Sequence, residues 1–144
     1  MINYTYDPNN FNFINRKLSI AYVINLIKTN QLIVFECDWS TRKCNLFVES
    51  IILRIPLEPF YLDHTNDYYK IISGSNRISA LKLIIIDKLR FENFEYLRYL
   101  NGSNFDKLSR QYQRRITETD LNFHIIEAGT PQFIVDNIAK RVSH

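Results

Sequence analysis

The chain has few cysteines and no long apolar segments. Cys37 and Cys44 lie seven positions apart with no histidine at metal-ligand spacing, which predicts two free thiols in a reducing compartment over a disulfide. No apolar run approaches the roughly 18 residues that a membrane span needs, and no charged-then-apolar leader is visible. These absences predict a cytoplasmic protein with no membrane partner.

A strong charge of either sign is also missing. Lysine and arginine number 18 against 15 acidic residues, for a net charge of +3. That balance allows a nucleic-acid partner without requiring one. With 46% hydrophobic and 23% charged residues, and no repeat, linker or low-complexity tract, the composition excludes disorder. We expect one domain over residues 1–144, burying roughly 70% of its unfolded surface.

Hydrophobic periodicity predicts short strands that alternate with helices. The expected strands cover 2–6, 32–35, 60–62, 68–72 and 121–127. The expected helices cover 18–28, 42–54, 76–88 and 105–117, followed by a last helix after Thr130 as cap and Pro131 at its first position. The pattern is that of a mixed α/β (α+β) fold with short mixed strands and flanking helices in one compact unit.

The segment 73–77, Ser-Gly-Ser-Asn-Arg, joins an expected strand directly to an expected helix. The first amides of a helix lack partners within the helix and lie at the positive end of its dipole, so they bind anions. Gly74 allows a tight turn, and the guanidinium of Arg77 can donate to two phosphate oxygens. The phosphate-binding residues predicted here are Gly74, Ser75, Asn76, Arg77 and Ser79. The alternative is that Ser75 or Asn76 merely caps the helix and Arg77 lies in solvent.

Two segments resemble the N-terminal domain of GmrSD-type restriction endonucleases. Residues 47–62 read FVESIILRIPLEPFYL and residues 71–81 read IISGSNRISAL. The family has "lIESillriPlppfyl" and "viDGqqRltaL" there, and the match continues in order from Trp39 to Pro131. The family is similar in fold to ParB and sulfiredoxin, which hold nucleotide phosphates with an equivalent Gly-x-x-Arg turn. The resemblance implies a ParB/sulfiredoxin-like domain in DNA restriction that binds or hydrolyses NTPs with magnesium, alongside a separate nuclease domain or subunit.

The chain departs from that family where the chemistry would occur. Ser73 replaces the family's Asp, and Ser75 and Asn76 replace its glutamines. The change at Ser73 removes a carboxylate that could activate water or hold a metal. Two hypotheses follow: an NTPase or nuclease, or a catalytically silent DNA- or protein-binding module of the same fold. A nuclease acting alone is disfavoured, because no dense carboxylate cluster is visible to hold magnesium.

Glu49 is the remaining candidate for the catalytic set of Glu49, Ser73 and Arg77. It lies on the expected helix before the site-bearing strand, where a carboxylate near Arg77 could orient it or act as a base. An exposed Glu paired with a lysine or arginine is the alternative. His124, in an alternating strand, is interpreted as structural rather than as a base.

A basic stripe recurs at helical spacing near the end of the chain. It consists of Lys107, Arg110, Arg114 and Arg115. Such a stripe could contact the DNA backbone, with Tyr112 as a stacking surface, and binding would then weaken steeply with salt. A solvated charged helix face is the alternative interpretation.

Overall fold

A computed structural model describes residues 12–142. Its strands are β1 (Phe13–Ser19), β2 (Leu32–Ile33), β3 (Phe60–His64), β4 (Tyr69–Ser73) and β5 (Asp120–Glu127). Its helices are α1 (Ile20–Lys28), α2 (Thr41–Ile52), α3 (Ser75–Ile85), α4 (Arg110–Thr117) and α5 (Gln132–Val142). No helix in this range is long and apolar enough to cross a membrane. The strand expected over 2–6 lies outside the described residues.

The five strands form one mixed sheet in the order β1-β5-β3-β4-β2. The pairs β1–β5 and β3–β4 are antiparallel, whereas β3–β5 and β2–β4 are parallel. The expected mixed α/β fold is thereby confirmed. The parallel pair β3–β5 places the central strand β3 beside the strand that precedes the last helix.

Helices lie on both faces of the sheet. On β5, Phe123 and Ile125 enter the main core, whereas Ile126 joins a smaller cluster with residues of α5. Because neighbouring strand residues point to opposite faces, α5 lies on the face opposite to the main core. The other helices cover the main core, where α3 contacts both α1 and α2. Ile84 and Leu81 of α3 are fully buried, which places α3 at the centre.

Several element boundaries differ from the expectation. Residues 18 and 19 belong to β1, a strand that the sequence pattern missed because it is largely exposed and has no clean alternation. Ser19 does cap α1, accepting a hydrogen bond from the Tyr22 amide at 3.1 Å. Residues 105–107 form a separate 3-10 turn, and α4 begins at Arg110 after its cap, Ser109.

The expected cap at Thr130 is wrong. Its hydroxyl is buried and has no hydrogen-bond partner among residues 12–142. The backbone oxygen of Pro131 instead accepts bonds from the amides of Ile134 and Val135, at 3.0 and 3.2 Å. The turn into α5 is therefore set by the backbone, and Pro131 lies one position before the helix that it was expected to begin.

Gly74 is the residue on which the entry into α3 depends. It has φ +100°, a left-handed conformation, and is the N-cap of α3 without a side-chain cap. A Cβ at this position would collide with the Phe60 ring. The capping interpretation for Ser75 or Asn76 is therefore wrong, since both are already within the helix.

We expect Gly74→Ala to lower the free energy of unfolding by about 2–4 kcal/mol, because the left-handed strain and the collision add together. Gly102→Ala is the matched control, since Gly102 has φ +91° but open space around its Cβ position. It should cost only the strain, about 1 kcal/mol. Urea unfolding of both variants measures the difference, and equal losses would contradict the packing argument.

Candidate functional site

The turn before α3 opens on a hollow of about 350 Å³. Its lining is Trp39, Lys43, Ile72, Ser73, Gly74, Ser75, Asn76 and Arg77. The structure thus brings the predicted residues 73–77 to one concave surface. It adds two side chains from the start of α2 and the loop before it.

The residues at the start of α3 line this surface, and their amides have no capping side chain. The first helical bond runs from the Ile78 amide to the Gly74 oxygen, at 3.1 Å. The amides of residues 75–77 precede that bond, and no side chain accepts from them. Uncapped amides at the positive end of a helix dipole attract an anion.

Arg77 lies at the edge of the hollow but is largely engaged with protein. Its Nη1 donates to the Glu58 carbonyl oxygen at 2.6 Å, and its Nη2 donates to the Pro59 oxygen at 3.0 Å. The guanidinium also lies 3.8 Å from the centroid of the Phe60 ring, and burial lowers the pKa of Arg77. Arg77 is therefore not in solvent. It binds the segment before β3 to α3 and retains three of its five N–H donors for other contacts.

Lys43 is the site residue that the sequence analysis missed. It lies in the first turn of α2, where its Nζ is 4.9 Å from the centroid of the Trp39 ring. Trp39 packs edge-on against Phe47, with 5.7 Å between the ring centroids. No motif marks Lys43. Its only signal is that it follows the family-like Trp39 by four positions.

Asn76 connects the turn to the loop before α2. Its side-chain oxygen accepts a hydrogen bond from the Asp38 amide at 3.0 Å. Its backbone oxygen lies 3.8 Å from the Cys37 sulfur. Asn76 therefore holds the loop that carries Trp39, and its side-chain NH₂ remains as a donor.

Ser79 does not face the hollow at the turn. It is buried, and its hydroxyl donates to the Phe35 carbonyl oxygen at 2.6 Å. It lines a separate hollow of about 320 Å³ with residues of the segment 34–37. Its placement one turn into α3 points it toward that segment, so the prediction that it binds the same phosphate is wrong.

Glu49 has a structural position that neither interpretation anticipated. It is only 3% exposed, so it is not a solvated surface residue. Its two carboxylate oxygens accept bonds from the amides of Glu95, Tyr96 and Leu97, at 2.9 to 3.0 Å. The carboxylate stabilises the loop before the turn at 98–100 and does not contact Arg77.

The basic stripe is divided by the structure. Arg110, Arg114 and Arg115 line a hollow of about 500 Å³, whereas Lys107 lies on the preceding 3-10 turn and is not part of the lining. The site residues therefore form two groups, at the start of α3 and on α4.

His124 is half-buried, and its ring centroid lies 5.0 Å from that of Tyr61.

Cys37, in the loop that carries Trp39, lies beside Cys44 of α2. Their sulfur atoms are 3.7 Å apart, and both thiols are free. Burial, followed by the contact with Cys37, raises the pKa of Cys44 to about 11. Cys37 is only half-buried. The two thiols therefore differ in access to solvent.

We expect Glu49→Gln to lower the free energy of unfolding by about 2–4 kcal/mol, because an amide loses the charge and turns an NH₂ group toward backbone donors. Glu95→Gln is the control. Its carboxylate is exposed and pairs with Arg42 at 3.2 Å, so its loss should cost less than about 0.5 kcal/mol. Thermal melts of both variants test this, and a Glu49→Gln protein as stable as the control would refute the loop-anchoring role.

The raised pKa of Cys44 predicts selective alkylation. Its pKa of about 11 in the folded protein exceeds the ordinary thiol value of 9.0, so the unreactive thiol persists in the native protein as the pH rises through 9 toward 11. Iodoacetamide at pH 8 should label Cys37 and spare Cys44, whereas both should react in denaturant. Peptide mapping by mass spectrometry distinguishes the two, and equal native labelling would contradict the burial of Cys44.

Comparison with known proteins yields no relative. No family model matches the chain, no curated protein matches it, and no solved structure matches it. The resemblance to the GmrSD-type domain therefore stays a prediction from the motif residues.

Proposed function

We propose that the domain binds the phosphate groups of a nucleotide in the hollow before α3 and does not hydrolyse them. The observation that carries the proposal is the uncapped start of an 11-residue helix that opens on a hollow with Lys43 at its wall. Backbone amides and an ammonium group donate hydrogen bonds to phosphate oxygens, and the positive end of a helix dipole attracts their charge.

The charges around the hollow favour an anion. The lining includes Lys43 and Arg77 and contains no aspartate or glutamate. The Arg77 guanidinium contributes a fixed positive charge even though two of its donors are engaged. With about 350 Å³ of space, the hollow lies at the small end of small-molecule sites.

Trp39 gives the hollow an apolar wall suited to a planar base. Its ring is half-buried, braced by Phe47 from one direction and approached by Lys43 from another. Aromatic rings stack on the faces of bases with little preference among them. We therefore propose a nucleotide in preference to free phosphate.

The proposal of a silent site follows from Ser73. It ends β4 at the position where the resembling family has its aspartate. A serine hydroxyl without a neighbouring base does not activate water. Among residues 12–142, no group of three or more His, Cys, Asp or Glu side chains could hold a metal ion. Within the wider proposal, the domain belongs to a cytoplasmic DNA-restriction or DNA-processing system, and cleavage would fall to a separate nuclease domain or subunit.

Trp39 is the only tryptophan of the chain, so its fluorescence reports on this hollow. We expect titration with ATP or GTP to change that fluorescence until the site is saturated. Lys43→Ala should weaken nucleotide binding about tenfold or more, since a hydrogen bond to a charged group contributes about 1.5–3 kcal/mol. Arg42→Ala is the matched control, because Arg42 is exposed, pairs with Glu95 and does not line the hollow. Lys43 is a cleaner probe than Arg77, whose removal also releases two backbone carbonyls.

Equal affinity in the Lys43→Ala and Arg42→Ala proteins would move the phosphate away from this hollow. Phosphate release by the unmodified protein, measured with magnesium present, would refute the silent site. If no nucleotide gave a saturable change in fluorescence, the proposal that the hollow binds a nucleotide would be refuted.

A further inference from the structure

Four arginines converge at the opposite end of α2. They are Arg54, Arg110, Arg114 and Arg115, and they line the hollow of about 500 Å³ between the end of α2 and α4. Lys43 and Arg54 are separated by roughly 16 Å along α2, at about 1.5 Å per residue. This arginine hollow is therefore distinct from the hollow before α3.

The backbone holds two of these arginines in place. Arg54 has φ +61°, a left-handed conformation that is uncommon for residues other than glycine, and follows the last turn of α2. Arg115 donates from its Nε to the Ile52 carbonyl oxygen at 3.0 Å and so attaches α4 to the end of α2. Cations at a helix C-terminus are favoured by its dipole, which accounts for Arg115. The same effect favours Arg54 after the end of α2 and Arg114 in the last turn of α4, but it does not account for Arg110 at the start of α4.

The arginine charges are mostly uncompensated. Arg114 pairs with Glu118, with 2.9 Å between Nε and the carboxylate oxygen. Arg54 and Arg110 are exposed, and their side chains have no hydrogen-bond or ion-pair partner in the described part of the chain. Like charges held together without acidic partners repel, and a bound polyanion relieves that repulsion.

The arginine hollow continues into a second depression. An adjoining hollow of about 390 Å³ shares Arg54, Glu118 and Thr119 with it and extends past Pro56, with Asp120 on its lining. The excess positive charge of the two adjoining hollows lies at the α4 end. Two adjoining hollows give room for a chain with successive phosphates rather than for one compact anion.

Exposed aromatic rings lie beside the same helix. Tyr96 and Tyr99 are 76% and 70% exposed. The hydroxyl of Tyr99 lies 2.6 Å from that of Tyr112 on α4, which fixes Tyr99 next to the basic helix. Neither ring lines the arginine hollow, but Tyr99 contacts the helix that supplies three of its arginines. Exposed rings near a basic surface are the combination that binds single-stranded nucleic acid, since unpaired bases stack on the rings.

We propose that this face binds single-stranded nucleic acid, with phosphates at Arg54 and Arg110 and a base stacked on Tyr99. The contact set differs from the stripe expected from sequence, because Arg54 joins it and Lys107 leaves it. The proposal does not depend on nucleotide binding before α3.

The test uses fluorescence anisotropy of a labelled single-stranded oligonucleotide of about ten nucleotides, at about 50 and 200 mM salt. We expect Arg54→Ala and Arg110→Ala each to weaken binding about three- to tenfold and to reduce the salt slope by about 0.7. Tyr99→Ala should weaken it at least about fivefold, whereas Tyr99→Phe should retain most affinity because the ring remains. Arg90→Ala removes an exposed arginine that lines no hollow described above, and should leave the affinity unchanged.

Four results would overturn the proposal. The first is that the Arg54→Ala and Arg110→Ala proteins bind the oligonucleotide as tightly as the Arg90→Ala protein, and the second is that the Tyr99→Ala protein binds it with normal affinity. The third is that duplex binds as tightly as single strand. The fourth is that micromolar tripolyphosphate displaces the oligonucleotide, which would assign the hollow to a compact polyphosphate. Lys43→Ala should retain full oligonucleotide affinity. That variant separates failure of this face from failure of the nucleotide site.

Discussion

The contact between Gly74, Phe60 and Arg77 fixes the geometry of the site before α3. Gly74 passes so close to the Phe60 ring that no side chain fits, and Arg77 lies over the same ring. Its two hydrogen bonds then bind the segment before β3 to the first turn of α3. Strand, turn and helix thus become one rigid unit, and the free amides of that helix point at a fixed surface.

Helix α2 connects the separate parts of the molecule. Its first turn supplies Lys43 to the hollow before α3, its last turn carries Glu49 beneath the loop at 95–97, and Arg54 follows its end. A helix is stiff over this length, so the two basic hollows are held at a fixed separation. The buried Glu49 lies between them along α2, and its carboxylate accepts hydrogen bonds from three backbone amides. It therefore stabilises the scaffold.

The structure changes which groups at the turn after Ser73 are available to a ligand. The sequence predicted an Arg77 guanidinium free to donate to two phosphate oxygens. In the structure, two of its N–H groups donate to backbone oxygens instead. In the proposed site, the direct phosphate contacts come from the backbone amides and from Lys43. Under that proposal the anion is recognised through the positions of these donors and their positive potential, and a hydroxyl at Ser73 adds no general base.

Local features were readable from the amino-acid sequence alone. Spacing and turn residues predicted the strand–turn–helix at 69–85 and the strands at 60–62 and 68–72, because each depends on neighbours only a few positions away. The sheet order, the exposed strand β1 and the true contacts of the candidate residues were decided by tertiary structure. Arg77 reaches a carbonyl 19 positions away and Glu49 reaches amides 46 to 48 positions away. Periodicity carries no information about such distant pairs, since only packing of the whole chain determines which buried donors and acceptors meet.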